Sequence, residues 1–227
     1  MQRLMLVIGV TGGLGTGKSS VCAMLRELGA RTIDADVVAR EVIAPGTPGW
    51  RAIRRVFGSR VIAAGGAVDR RALAGIVFAD HRRLARLNAI VHPRVLRRIR
   101  QDIARLRRDE KRPACAQRAG KRGGQARTRR SKRCRVLAVE IPLLVEAGVT
   151  RVVDRVVLVE ATTRQQVARV RAATGWSTAA IGRRITAQLP LDVKRRVADD
   201  VITNSGTRNQ TRRQVRALWK RLKAQPK

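Results

Sequence analysis

The chain has 227 residues and carries 50 Lys or Arg against 16 Asp or Glu, a net charge of +34. This length can bury a full core, and no apolar run approaches the ~20 residues that span a membrane, so a membrane-embedded protein is set aside. A charge of this size favours polyanions such as nucleic acid or phosphorylated small molecules, while a genome that uses arginine widely on solvated faces accounts for it equally well.

With no Tyr, two Phe and three Trp, the core must be built from Val, Ile, Leu and Ala. The first residues enter a strand directly, without a signal-peptide pattern. Cys22, Cys115 and Cys134 leave one thiol unpaired in any scheme and match no metal-ligand spacing, which predicts a reduced, cytoplasmic setting.

Residues 4–10 form a continuous apolar run that ends in glycine, the pattern of a buried parallel strand. Gly12-Gly13-Leu14-Gly15-Thr16-Gly17-Lys18-Ser19 follows, with the P-loop spacing of Gly, four residues, then Gly-Lys-Ser. Glycines let successive N–H groups curl inward into an anion nest, and the helix that starts there adds its partial positive charge. Lys18 can reach outer phosphates, and the Ser19 hydroxyl can ligate Mg²⁺. The periodicity predicts a helix over 18–28 with Gly29 as its C-terminal cap. A short strand at 32–33 ends in Asp34-Ala35-Asp36.

A helix begins at 37–42, and Pro45-Gly46-Thr47-Pro48-Gly49 breaks the chain. Residues 50–106 then read as helical, over 50–57, 70–77, 82–91 and 93–106, with a turn at Gly65-Gly66 and no strand signal. Short strands return at 136–140, 155–160 and 201–203. Helices are predicted over 164–174, 178–187 and 210–222, with Gly175-Trp176 between the first two. Strands alternating with helices predict a mainly parallel sheet covered on both faces.

Residues 107–135 contain 13 Lys or Arg and two acids, with almost nothing apolar, which predicts a disordered loop. It is either an inert or solubility-related insertion or a non-specific tether to nucleic acid or an anionic membrane surface. No aromatic residue interleaves with its charges to stack bases.

Three further groups bear on chemistry. Asp34 and Asp36 fall at the carboxyl end of a strand, where ligands bind in sheets of this class. Asp36 could accept a proton from an attacking hydroxyl, or cap the helix that follows. Glu140 ends another buried strand and can hold Mg²⁺ or its waters. The helices over 164–187 carry Arg169, Arg171, Arg183 and Arg184, which suit either a lid that neutralises transition-state charge or a solvated basic face.

Taken in order, Ile8–Ser19, Ile33-Asp34-Ala35-Asp36, Ala39-Arg40-Glu41-Val42, His92-Pro93, Ile141-Pro142-Leu143-Leu144-Val145-Glu146, Gln188, Lys194 and Ala198–Gly206 resemble the dephospho-CoA kinases over nearly the whole chain except 107–135. The resemblance implies an α/β, three-layer P-loop fold with a parallel five-stranded sheet. The nucleotide-binding core would comprise 1–38, 136–162 and 191–227. A helical CoA-binding domain would occupy 39–106, the basic insertion 107–135 and a lid 163–190.

The same resemblance implies ATP-dependent phosphorylation of the ribose 3′-hydroxyl of dephospho-CoA, with ATP and Mg²⁺ as cofactors. Asp36 sits where the family's proposed general base lies, with Lys18 and the lid's Arg169 as the other catalytic residues. ATP would contact Gly13, Leu14, Gly15, Thr16, Gly17, Lys18, Ser19 and Ser20, with Asn204 and Gly206 around the adenine. Asp34, Asp36, His92, Glu140 and Leu143 would lie on the acceptor side, and Ser19 and Glu140 on Mg²⁺. Two positions depart from the family pattern: Ser20 replaces a frequent Thr, and Ala173 stands where a second lid arginine is usual, a role open to Arg171, Arg183 or Arg184. His92 either touches substrate or simply precedes a helix whose first turn holds Pro93. Other small-molecule kinases and a nucleic-acid-binding ATPase are the alternative readings.

Overall fold

The computed structural model describes residues 5–78, 80–111, 136–142, 144–146 and 148–224. The chain forms two compact units, Met1–Ile33 with Ile103–Lys227, and Asp34–Asp102.

In the first unit the strands are β1 (Leu6–Thr11), β2 (Arg31–Asp34), β3 (Val136–Glu140), β4 (Arg155–Glu160) and β5 (Asp200–Thr203), in the order β2-β3-β1-β4-β5. β1 pairs in parallel with β3 and with β4, and β4 pairs in parallel with β5. The chain fills one side of β1 with β2 and β3 before crossing to β4 and β5 on the other. The strand order therefore reverses at β1, and the crevice at its carboxyl end is where such sheets bind ligands. The P-loop leaves β1 at that end.

Helix α1 (Lys18–Glu27) returns from the loop and stops at Gly29, whose φ of 106° is open to glycine. Val21, Met24 and Leu25 of α1 join Ile8, Val10, Ala138, Val157, Val159 and Ile202 of the sheet in one aliphatic core, and Trp219 packs against it. Each such Leu or Ile contributes roughly 1.5–3 kcal/mol on burial, so the core needs no aromatic centre.

The second unit holds α2 (Ala35–Val42), α3 (Pro48–Phe57), α4 (Arg70–Phe78) and most of α5 (His81–Lys111). Thr47 caps α3 by accepting from the Trp50 N–H, and Pro48 opens the helix, where a missing N–H costs nothing. Ile53, Phe57, Val61, Leu73 and Val77 form its core. The Trp50 indole N–H donates to the Gly66 carbonyl at 2.8 Å, and the Arg54 guanidinium lies 5.5 Å from the Trp50 ring.

Three sequence expectations are corrected here. The predicted helices 82–91 and 93–106 are one helix, α5, with Pro93 inside it, so His92 precedes no helix start. Pro93 removes the N–H that would reach the Ala89 carbonyl, and beside this gap the Arg94 guanidinium donates to the Ile90 carbonyl. The helix also runs on through Lys111, so residues 107–111 are ordered rather than part of a loop; the rest of that basic stretch, with Leu4 of the predicted first strand, lies outside the described residues. Ile62 and Val68 make an antiparallel bridge in a block with no strand signal.

The remaining helices belong to the first unit: α6 (Thr163–Thr174), α7 (Thr178–Thr186), α8 (Leu191–Arg196) and α9 (Arg208–Ala224). The six-residue α8 had no counterpart in the sequence reading.

Candidate active site

Gly17 is the N-cap of α1 in the left-handed conformation, φ 87° and ψ 33°, and no side chain caps the helix. The first N–H groups of α1 are thus left for an anion. Lys18 is 9% exposed, and its Nζ donates to the carbonyls of Gly12 at 3.0 Å and Gly13 at 2.9 Å. The Thr16 hydroxyl donates to the same Gly13 carbonyl at 2.9 Å. Beside the loop, the Ser19 Oγ donates to Glu140 Oε1 at 2.8 Å, at the carboxyl end of β3. Ser20 follows on α1 and is exposed.

The helices after β4 close on the outside of this loop. Thr162 caps α6, Gly175 ends it with φ 70°, and Ser177 caps α7. From α6, Arg169 donates to the Asn204 carbonyl at 2.9 Å and reaches the carbonyls of Thr16 at 3.4 Å and Gly15 at 3.5 Å. The Asn204 side chain is buried: its Nδ2 donates to the Thr16 carbonyl, and its Oδ1 accepts from the Thr211 hydroxyl, both at 2.8 Å. A cavity of about 460 Å³ opens beside the loop, and its walls include Gly13, Thr16, Glu160, Gln188 and Lys194.

Two ion pairs brace its rim. Lys194 is 2% exposed, with Nζ 2.5 Å from Glu146 Oε1. Arg195 holds both oxygens of Glu160 at 2.9 Å, and the Thr203 hydroxyl donates to Glu160 Oε1 at 3.0 Å.

The sequence-predicted residues therefore divide. Lys18, Thr16, Arg169 and Asn204 are joined through the carbonyls of Gly13, Thr16 and Asn204, and Ser19 pairs with Glu140 beside them. Gly206 is exposed on the loop after Asn204. Asp34 caps α2 by accepting from the Asp36 N–H at 2.8 Å and the Val37 N–H at 3.4 Å, so the capping role considered for Asp36 belongs to Asp34. The Asp36 side chain stands exposed in the first turn. His92 is half-buried in the middle of α5, and Leu143 lies outside the described residues.

A family model described as dephospho-CoA kinase matches residues 6–115 and 112–210, two stretches that meet within the basic segment. The chain is 39% identical over 218 residues to the dephospho-CoA kinase of Thermobifida fusca, covering 96% of each. It is 41% identical over 216 residues to that of Symbiobacterium thermophilum, covering 95% of this chain and 81% of the relative. This chain belongs to the dephospho-CoA kinase family. A Thermus thermophilus protein of known crystal structure shares the fold with a TM-score of 0.73 and 32% identity, over 97% of this chain and 99% of its own. The dephospho-CoA kinase of Campylobacter jejuni, 19% identical over 95% of this chain and 96% of its own, has the same fold with a TM-score of 0.65.

For a member of this kinase family the residues present suit Mg²⁺. Mg²⁺ bound with a nucleotide takes most of its ligands from phosphates and water and needs only one or two protein oxygens. The Ser19–Glu140 pair supplies such oxygens, and among the described residues no cluster of three or more His, Cys, Asp or Glu builds a metal cage. Among the described residues no helix is long and apolar enough to cross a membrane.

The sequence reading had no place for Glu160, Arg195 or the Lys194–Glu146 pairing as such. Lys194-Arg195-Arg196 looks like a solvated basic turn, and the partners of its first two members lie 48 and 35 residues away. Only the tertiary fold brings them together.

Proposed function

We propose that this chain transfers the γ-phosphoryl group of ATP to the ribose 3′-hydroxyl of dephospho-CoA, giving coenzyme A and ADP. The observation that carries this reading is the P-loop of a family member with Lys18 seated on its carbonyls and Ser19 bonded to Glu140. The exposed N–H groups at the start of α1 and the Lys18 ammonium receive the β- and γ-phosphates. Ser19 and Glu140 hold Mg²⁺, directly or through its waters, and the ion supplies charge neutralisation for the phosphates.

Phosphoryl transfer needs an oriented acceptor hydroxyl and a site for its proton. Asp36 fills this role on our reading. Asp34 holds the turn, which leaves the Asp36 carboxylate free of capping duty. It takes the proton as the 3′-oxygen bonds to the γ-phosphorus and the bond to the ADP oxygen breaks. Arg169 stabilises the charge that develops on the leaving oxygens. The helical unit Asp34–Asp102 holds the acceptor, with His92 and Leu143 as further acceptor-side residues, while Asn204 and Gly206 shape the adenine side. The compartment on this reading is the cytoplasm.

Purified protein with ATP and dephospho-CoA should add the mass of one phosphate to the acceptor. ATP consumption no faster with dephospho-CoA than without it would overturn the assignment, and an acceptor panel then tests other small-molecule acceptors. Asp36→Asn should keep ATP affinity and lower turnover about 10³-fold. The net charge of +34 supports a second partner, a polyanion such as nucleic acid held non-specifically through 107–135. Its affinity should fall steeply with salt and disappear when that segment is deleted.

A further inference from the structure

We infer that Gln188 is a positioning residue for Lys18, acting through the single peptide plane between Gly13 and Leu14. The inference rests on the kinase reading only in that Lys18 is the phosphate-binding cation. The Leu14 N–H donates to Gln188 Oε1 at 3.0 Å. The other edge of the same peptide, the Gly13 carbonyl, accepts from Lys18 Nζ at 2.9 Å and from the Thr16 hydroxyl at 2.9 Å. A peptide plane is rigid, so fixing its N–H on one side fixes the direction of its carbonyl on the other. Gln188 thus sets where the ammonium of Lys18 can sit while touching neither the ammonium nor, on our reading, the substrate.

The local packing supports this arrangement. A Cβ at residue 13 would lie 3.1 Å from Gln166 Oε1 and 3.3 Å from Gln188 Oε1, tighter than most real Cβ contacts. Glycine at this position lets two side-chain amides come up against the crest of the loop. The two amides are engaged differently. Gln166 Nε2 donates to the Ala161 carbonyl, within its own segment, whereas Gln188 accepts from the loop. Gln188 is itself held, since its backbone N–H donates to the Ile185 carbonyl in the last turn of α7. The residue therefore links the end of α7 to the peptide that carries Lys18.

Without the Gln188 acceptor, the Gly13–Leu14 plane is held from its carbonyl edge alone, by Thr16 and by Lys18 itself, and it can tilt away from the direction that Gln188 sets. Small displacements of a positioned group lower turnover without removing binding. Gln188→Met has similar length and no acceptor; Gln188→Glu keeps an acceptor oxygen; Gln166→Met removes the neighbouring amide alone.

The test measures amide exchange and chemical shift of Leu14 by NMR, together with kcat, KM for ATP and thermal midpoint. In Gln188→Met the Leu14 amide should shift and exchange faster, and kcat should fall about tenfold with a thermal midpoint within about 2 °C of wild type. Gln188→Glu should restore Leu14 protection and most of kcat, and Gln166→Met should leave the Leu14 amide unmoved. A wild-type Leu14 amide in Gln188→Met overturns the proposal, as does kcat within twofold of wild type once that amide has been exposed. Equal loss in the Met and Glu variants also overturns it, because a packing role does not distinguish them. If wild-type protein fails to phosphorylate dephospho-CoA, the proposed reaction falls separately, while the Leu14 amide in the ATP-bound protein still decides the role of Gln188.

Discussion

The two helices that follow β4 carry the same kind of residue and use it in opposite ways. On α6, Arg169 reaches out of its own segment to the carbonyls of Gly15, Thr16 and Asn204. On α7, Arg184 turns back on its own hairpin: its guanidinium lies 4.0 Å from the Trp176 ring and donates to the Ala180 carbonyl. Arg171 and Arg183 are exposed. In a chain with this much arginine, charge alone says nothing about role. What differs in the contacts described is whether the guanidinium meets carbonyls of the loop and of the segment after β5, or the indole and carbonyl of its own hairpin. Ala173, one turn beyond Arg169 on α6, adds no second charge there.

Substitutions along this contrast should form a descending series. Lys18→Met sets the scale for the loop that α6 serves, and kcat should fall about 10³-fold, read in a coupled ADP-release assay. Arg169→Met should cost about 10²-fold in kcat. A loss no larger than that of Arg184→Met would break the contrast. Asn204→Ala removes the brace between Thr16 and Thr211; we expect about a tenfold rise in KM for ATP and a thermal midpoint lower by about 4 °C. Arg184→Met should keep kcat within about twofold and lower the midpoint by about 2 °C, as loss of one half-buried cation–π contact implies.

The parts legible in the sequence are those written in local spacing. The P-loop, its flanking strand and helix, and the strands at 136–140 and 155–160 come from apolar runs and glycine positions a few residues apart. Pro93 sits inside a helix because the rule that proline ends helices is local, whereas Leu84, Leu87, Ile90 and Val91 pack α5 against the core of the helical unit. Of the two roles open to Asp36, capping belongs to its neighbour two residues earlier: Asp34 and Asp36 are equally suited by type, and only the geometry of the turn selects the first. Lys194, Glu160 and Gln188 gain their partners from segments distant in sequence, so no window of residues shows which groups they meet.

The three tryptophans described above have a practical consequence. Trp50 is hydrogen-bonded within the helical unit, Trp176 lies under Arg184 in the α6–α7 hairpin, and Trp219 packs on the core of the sheet. The chain has no tyrosine, so near-ultraviolet emission comes from these three indoles with almost no background. Two-at-a-time replacement by phenylalanine would leave one intrinsic fluorophore in each region. The response of the hairpin to nucleotide, of the helical unit to the proposed acceptor and of the sheet to denaturant could then be read as three separate optical signals, without an added label.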